Sequence, residues 1–136
     1  MDEPVRITRE LDLDISPDEL WSLLADGQRW SEGLIDEGAP TVRPGSIGRV
    51  VDAGDHRHVH VRSVEPGERV TFEWWTDDDA TDRSHVELEV VRDGSRTALR
   101  VTETFARTGA ASAHAEVAWD VRLLVLHLAS CALART

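Results

Sequence analysis

The sequence contains no lysine, no tyrosine and only one cysteine. Without lysine, Schiff-base, P-loop and lysine general-base chemistries are excluded; without tyrosine, so are tyrosine acids. Cys131 cannot form an internal disulfide, which fits a reducing cytoplasm. Its apolar helical surroundings read as a buried thiol rather than a nucleophile. Positive charge is scarce: 15 arginines stand against 26 acids, a net charge of −11. Nucleic acid and anionic membranes are therefore not expected as partners, since both demand a basic face. Long hydrophobic runs are missing too, and the longest, 123–126, is far too short to span a bilayer. The opening MDEPVRITRE has neither a basic nor an apolar leader region, so no signal peptide is expected and the expected location is cytoplasmic. No motif calls for a cofactor, and none is expected.

What is present describes a globular chain. Of the 136 residues, 40% are hydrophobic and 30% charged, which argues for one domain over 1–136 with a real core. Arginine-only basic usage with abundant Ala, Val, Asp and Gly is typical of GC-rich bacterial genomes. Residues 5–15 alternate apolar and polar, as a half-buried strand does. SPDELWSLLAD follows, with Ser16 as N-cap, Pro17 at the first helical position and Glu19 completing a capping box. Gly27 ends that helix, and a second short helix is expected over 28–35. After a loop at 36–46, strands are expected over 47–52, 57–65, 69–76, 84–92 and 96–105. EPGE at 65–68 reads as a type II turn and DGS at 93–95 as a hairpin signal. The last element, 112–134, reads as a long helix with a narrow polar stripe (Glu116, Asp120, His127) and two apolar faces. The surplus apolar face suggests a ligand cavity, a homodimer interface, or simple deep burial.

Alternation assigns the faces of the strands. Val70, Phe72 and Trp74 share one; Val86, Leu88 and Val90 another; Leu99, Val101, Glu103 and Phe105 a third, and all should point inward. Glu103 is then a carboxylate on an apolar face. Burying it requires a partner, a raised pKa or a wet cavity. It is the candidate ligand anchor or general acid/base, against the alternative of a strand-end carboxylate reaching solvent or an arginine. Arg9, inward by the same count, either pairs with a buried acid or snorkels out. Trp21 reads as core; Trp30, Trp74 and Trp119 read as core or pocket wall; Trp75 points outward, toward a partner or under the acidic loop at 76–83. DHRHVHV at 55–61 places His58 and His60 outward, opposite Val59 and Val61, with His56 at or beyond the strand start. Two histidines at this spacing can share a zinc ion, but a structural or catalytic site wants three or four ligands. No metal site is expected.

The order strand, two short helices, five-strand meander and long closing helix resembles the helix-grip fold, an α+β architecture. ITRELDLDISPDELWSLLAD followed by RW is similar to the opening of the START-like (SRPBCC) superfamily, which includes polyketide cyclases and lipid-transfer domains. VRSVEPGERVTFEWW, SRTALRVTETF and AWDVRLLVL resemble the central hairpin, last strand and closing helix of its family named for the co-chaperone of the Hsp-ninety ATPase. Where that family commonly has a second aromatic, three residues after the RW tryptophan, this chain has Gly33. The resemblance implies a curved sheet of about six strands wrapped around the long helix, with a cavity between them. Such a cavity would be lined by Trp30, Phe72, Trp74, Leu88, Val101, Glu103, Trp119, Leu123 and Leu126. Three functions follow from it: binding of a small apolar or amphipathic molecule, a cofactor-independent cyclase or dehydratase using Glu103, or a chaperone-associated interaction module. Fold alone decides none of them.

Overall fold

The computed structural model describes residues 5–52, 54–76, 83–105, 119–120 and 122–123. Six strands form one curved antiparallel sheet: β1 (Val5–Leu13), β2 (Ile47–Asp52), β3 (Asp55–Glu65), β4 (Arg69–Thr76), β5 (Ser84–Asp93) and β6 (Arg96–Phe105). Their order is β1-β6-β5-β4-β3-β2, so β2 to β6 make a meander and β1 closes onto its last strand. Three strand limits differ from expectation. β1 stops at Leu13 because Ser16 already caps the helix that follows. β5 runs on to Asp93, and β3 starts at Asp55, which puts His56 inside the strand rather than at its entrance.

Helix α1 (Pro17–Ala25) begins as its residues dictate. The Ser16 hydroxyl accepts the Glu19 backbone N–H at 3.1 Å, and Pro17 occupies a position where a missing N–H costs nothing. Leu20, Leu23 and Leu24 are buried against the sheet, while Trp21 is half-buried at the rim of the core. A Ser16→Ala variant is expected to lose about 1 kcal/mol of stability, read as a lower urea midpoint with an unchanged m value.

The second helix is a 3-10 turn over Gly27–Glu32 rather than a helix over 28–35. The Asp26 carboxylate caps it by accepting the Gln28 N–H at 3.0 Å. Its end is abrupt because the N–H groups of Gly33, Leu34 and Ile35 all converge on the Trp30 carbonyl. Gly27 is obligatory here: a Cβ at that position would lie 1.5 Å from the Pro40 carbonyl oxygen. The loop after it also pairs briefly with the sheet edge, Glu37 exchanging backbone hydrogen bonds with Val51 of β2. Ile47, 69% exposed on that edge strand, is the one large hydrophobic left in the open among the described residues.

The turns follow their glycines. Gly67 has φ 77° in the β3–β4 turn and Gly94 has φ 62° in the β5–β6 turn, both in the left-handed region that glycine enters without strain. The inward set of β4, β5 and β6 is buried as alternation predicts (Val70, Phe72, Trp74, Val86, Leu88, Val90, Leu99, Val101 and Phe105), although Thr71 and Ala98 of the opposite parity are buried too. β3 needs a correction of parity. A bulge between Val61 and Ser63 shifts the register, so Val64 rather than residue 63 packs toward the core. Ser63 and Thr71 meet on the outer face through a hydroxyl–hydroxyl hydrogen bond, which leaves Thr71 covered although it points outward.

Of the expected closing helix, Trp119, Asp120, Arg122 and Leu123 are described, and all are helical. Trp119 and Leu123, one turn apart, are buried, and Asp120 between them is exposed. The remainder of 112–134, with Leu126, His127 and Cys131, lies outside the described residues, as does most of the acidic loop. Among the described residues no helix is long and apolar enough to cross a membrane.

Candidate functional site

The inward face of the sheet presents a chain of aromatic rings. Trp30 lies 5.2 Å from Phe72, Phe72 lies 5.4 Å from Trp74 edge-on, and Trp74 stacks on Trp119 of the closing helix at 6.0 Å. Leu88, Val101 and Leu123 belong to the same buried cluster. Trp30 is committed within it: its indole N–H donates to the Leu24 carbonyl at 3.0 Å, tying α1 to the 3-10 turn. The other two indoles point their N–H groups at one target.

That target is Glu103, 2% exposed on β6. Trp74 donates to one carboxylate oxygen at 2.8 Å and Trp119 to the other at 2.7 Å. The Ser84 hydroxyl, from the start of β5, donates to the same oxygen as Trp74 at 2.5 Å. Three neutral donors from two neighbouring strands and the helix thus hold a carboxylate that a purely apolar face could not. The helix contributes one of these donors, the Trp119 indole. The alternative of a strand-end carboxylate reaching solvent does not hold, because Glu103 pairs laterally with Val86 and Ile7 and is covered by both indoles.

Beyond the indole pair lies a second polar group that alternation could have revealed. Asp52 ends β2 with 0% exposure, two residues on from buried Val50. Arg57 enters β3 on the face of Val59 and Val61. Arg122 sits one helical turn from Trp119. Both guanidinium groups reach the same carboxylate oxygen of Asp52, Arg122 by a hydrogen bond and Arg57 as an ion pair at 3.3 Å. Both also lie over the aromatic rings: Arg57 is 4.5 Å from the Trp74 centroid, and Arg122 is 4.6 Å from that of Trp119. Burial pushes the Asp52 carboxyl above its ordinary range; Arg122 and Arg57 oppose this only in part, and nearby Asp36 adds to it.

Arg9 does not join this group. It turns to the surface and pairs with exposed Asp120 at 2.9 Å, as a snorkelling side chain would. The outer face of the sheet is likewise a lattice of surface ion pairs. Arg69 meets Glu65, Glu87 and Glu89, and Arg96 meets Glu10 and Asp12, the hydrogen bond from Arg96 holding Glu10 below the usual carboxylate range. His58 stacks on Trp75 at 5.5 Å and Arg83 covers the same ring at 4.0 Å, so Trp75 lies under the end of the acidic loop. Among the described residues, no three His, Cys, Asp or Glu side chains are grouped to hold a metal ion.

A curved antiparallel sheet whose concave face holds aromatics and a buried carboxylate against a closing helix defines a START-like, helix-grip domain of the α+β class. The chain belongs to the family described as activator of Hsp90 ATPase homolog 1-like protein, whose model matches residues 14–126. Solved structures share the fold at low identity. DynU16, a putative protein of the dynemicin biosynthetic locus, is 24% identical with a TM-score of 0.71 over 90% of this chain and 46% of its own. This chain therefore spans about half the length of DynU16. The Aha1 dimer from Colwellia psychrerythraea is 18% identical, with a TM-score of 0.79 over 93% and 96% of the two chains. CalU16 from Micromonospora echinospora is 23% identical, with a TM-score of 0.71 over 92% and 74%. A comparison with curated proteins finds no match.

Proposed function

We propose that this protein binds a small apolar or amphipathic molecule between the concave face of the sheet and the closing helix, as a single domain without a cofactor. The observation that favours this is the continuous row of buried aromatic rings from Trp30 through Phe72 and Trp74 to Trp119, with few polar groups among them. Binding sites for small molecules combine such apolar walls with a handful of fixed polar groups. Leu88, Val101, Leu123 and Leu126 complete the proposed wall, and Glu103 fixes the orientation of the two indoles that form its centre. Origin of the DynU16 relative in a biosynthetic locus agrees with a small-molecule ligand.

A cyclase or dehydratase reaction through Glu103 is less favoured, because three donors take all but about one of its lone-pair positions and its side chain is buried. A general base must offer a free lone pair to the proton it takes. Self-association belongs to the proposal through the dimeric Colwellia relative; most of the closing helix that would carry it lies outside the described residues. A chaperone contact rests on the family name alone.

The neutral probe N-phenyl-1-naphthylamine tests the reading. It is expected to bind saturably at one site per chain, with enhanced probe emission and quenching of tryptophan fluorescence. A linear, unsaturable response, with native mass spectra showing only the bare chain, would defeat the proposal.

A further inference from the structure

The two inner arginines differ from Arg69 and Arg96 of the outer face in how their charge is met. Arg69 and Arg96 each lie among several carboxylates. Arg57 and Arg122 share a single oxygen of a single one, Asp52 Oδ2. Asp52 Oδ1 is fully buried and has no hydrogen-bond partner, while the Nε of Arg57 meets Oδ2 only at 3.3 Å. Among the described residues, the two guanidinium groups therefore have one carboxylate within ion-pair distance, with Asp36 near enough to act on Asp52 but not paired with either arginine. Glu103 does not complete the balance, since its hydrogen bonds come from the indoles and Ser84, with no arginine within ion-pair distance among the described residues. Both guanidinium groups are pinned against Trp74 and Trp119, so their planes are already ordered. They are not sealed off: their side chains remain 17% and 12% exposed.

We propose that Arg57 and Arg122 form a recognition site for the carboxylate of an amphipathic monoanion, whose apolar body lies along the Trp74–Trp119 pair. The inference rests on the ligand-binding reading above and names the ligand class. A planar carboxylate matches the fork of donors that a guanidinium offers. Two guanidinium groups that share one oxygen of one carboxylate keep N–H donors for a further singly charged head group, and nearby Asp36 disfavours a phosphate dianion. Prior stacking of both arginines lowers the ordering cost of binding. In a chain of net charge −11, these arginines supply the local attraction that the molecule as a whole does not.

Decanoate and 1-decanol, equal in chain length and different in head group, test it by calorimetric titration. Wild-type protein is expected to bind decanoate at least about tenfold more tightly than decanol, a preference of about 1.4 kcal/mol. Arg57→Met is expected to abolish the preference, decanoate then binding no more tightly than decanol to the same variant. Arg57→Gln, which keeps polarity and loses charge, replaces it if the methionine variant melts early. Equal affinity for the two probes, or a preference that survives in both the Arg57 variant and Arg122→Met, overturns the carboxylate site and leaves the pocket reading standing. Binding of neither probe, together with no binding of the naphthylamine, overturns both.

Discussion

Replacing Glu103 with leucine is expected to destabilise the protein by about 4 kcal/mol, because three buried donors lose their acceptor at once. An unsatisfied buried donor costs roughly 1–3 kcal/mol, and the apolar gain of leucine offsets only part of the sum. At this chain length the loss corresponds to a melting temperature lower by roughly 15 °C. Glu103→Gln should cost less, about 2 kcal/mol. Its single carbonyl oxygen can serve one indole, while the amide nitrogen turns a donor toward the other. Near-ultraviolet circular dichroism reports the same event, since both Trp74 and Trp119 lose the contact that fixes them. A leucine variant whose melting temperature matches that of wild type would show that the indoles find other acceptors, and the carboxylate would not be the element that organises the site.

The second large effect concerns Asp52, and it separates charge from hydrogen bonding. Asp52→Leu leaves Arg57 and Arg122 without their shared acceptor, and removal of one partner from a buried ionic group costs about 3–5 kcal/mol. Asp52→Asn keeps a carbonyl for Arg122 and removes only the charge. The direction of the Asp52 shift says that the charge is a net liability, since burial outweighs the attraction of both arginines. The asparagine variant is therefore expected to match wild type at neutral pH or slightly exceed it. The pH dependence has a definite sign. With its folded value raised above the ordinary 3.8, Asp52 binds its proton more tightly in the folded state. Its stabilising contribution is fully present below that ordinary value and is lost as pH rises through the folded value. Wild type should thus lose stability relative to Asp52→Asn over that interval, measured as the difference in urea unfolding free energy. An asparagine variant as unstable as the leucine one would mean that the arginines need the charge itself, and the Asp52 carboxylate would then be a net stabiliser rather than a liability.

These two side chains also mark how far the sequence was legible. Glu103 stands out because it breaks the apolar alternation of β6, and an exception to a period of two is visible in a linear string. Its partner Trp119 was foreseeable as a helix-side donor. Ser84 was not, because which residue of β5 faces Glu103 depends on strand register. Asp52, Arg57 and Arg122 are each on an inward face by the same counting, Arg57 by its parity with Val59 and Val61 and Arg122 by its helical spacing from Trp119. Their role stayed hidden in the string because a charged residue near a strand end is ordinarily solvated, and because the histidines that alternate with Arg57 and Val59 point to the outer face. The 3-10 turn at Gly27–Glu32 carries the residue pattern of a longer helix for a related reason. What ends it is the convergence of three N–H groups on the Trp30 carbonyl, a geometry with no signature in residue type.

By itself the sequence determined the elements: six strands, the capped helix, the glycine turns and the inward apolar faces. All of these follow from local periodicity and backbone preference, which act over a few residues. The tertiary structure alone decided that two indoles should meet on Glu103, and that arginines from a strand and a helix should share one oxygen of Asp52. The Trp119–Glu103 and Arg122–Asp52 contacts join residues 16 and 70 positions apart. Their existence depends on which strands neighbour one another and how the closing helix lies across them, and no local preference encodes either.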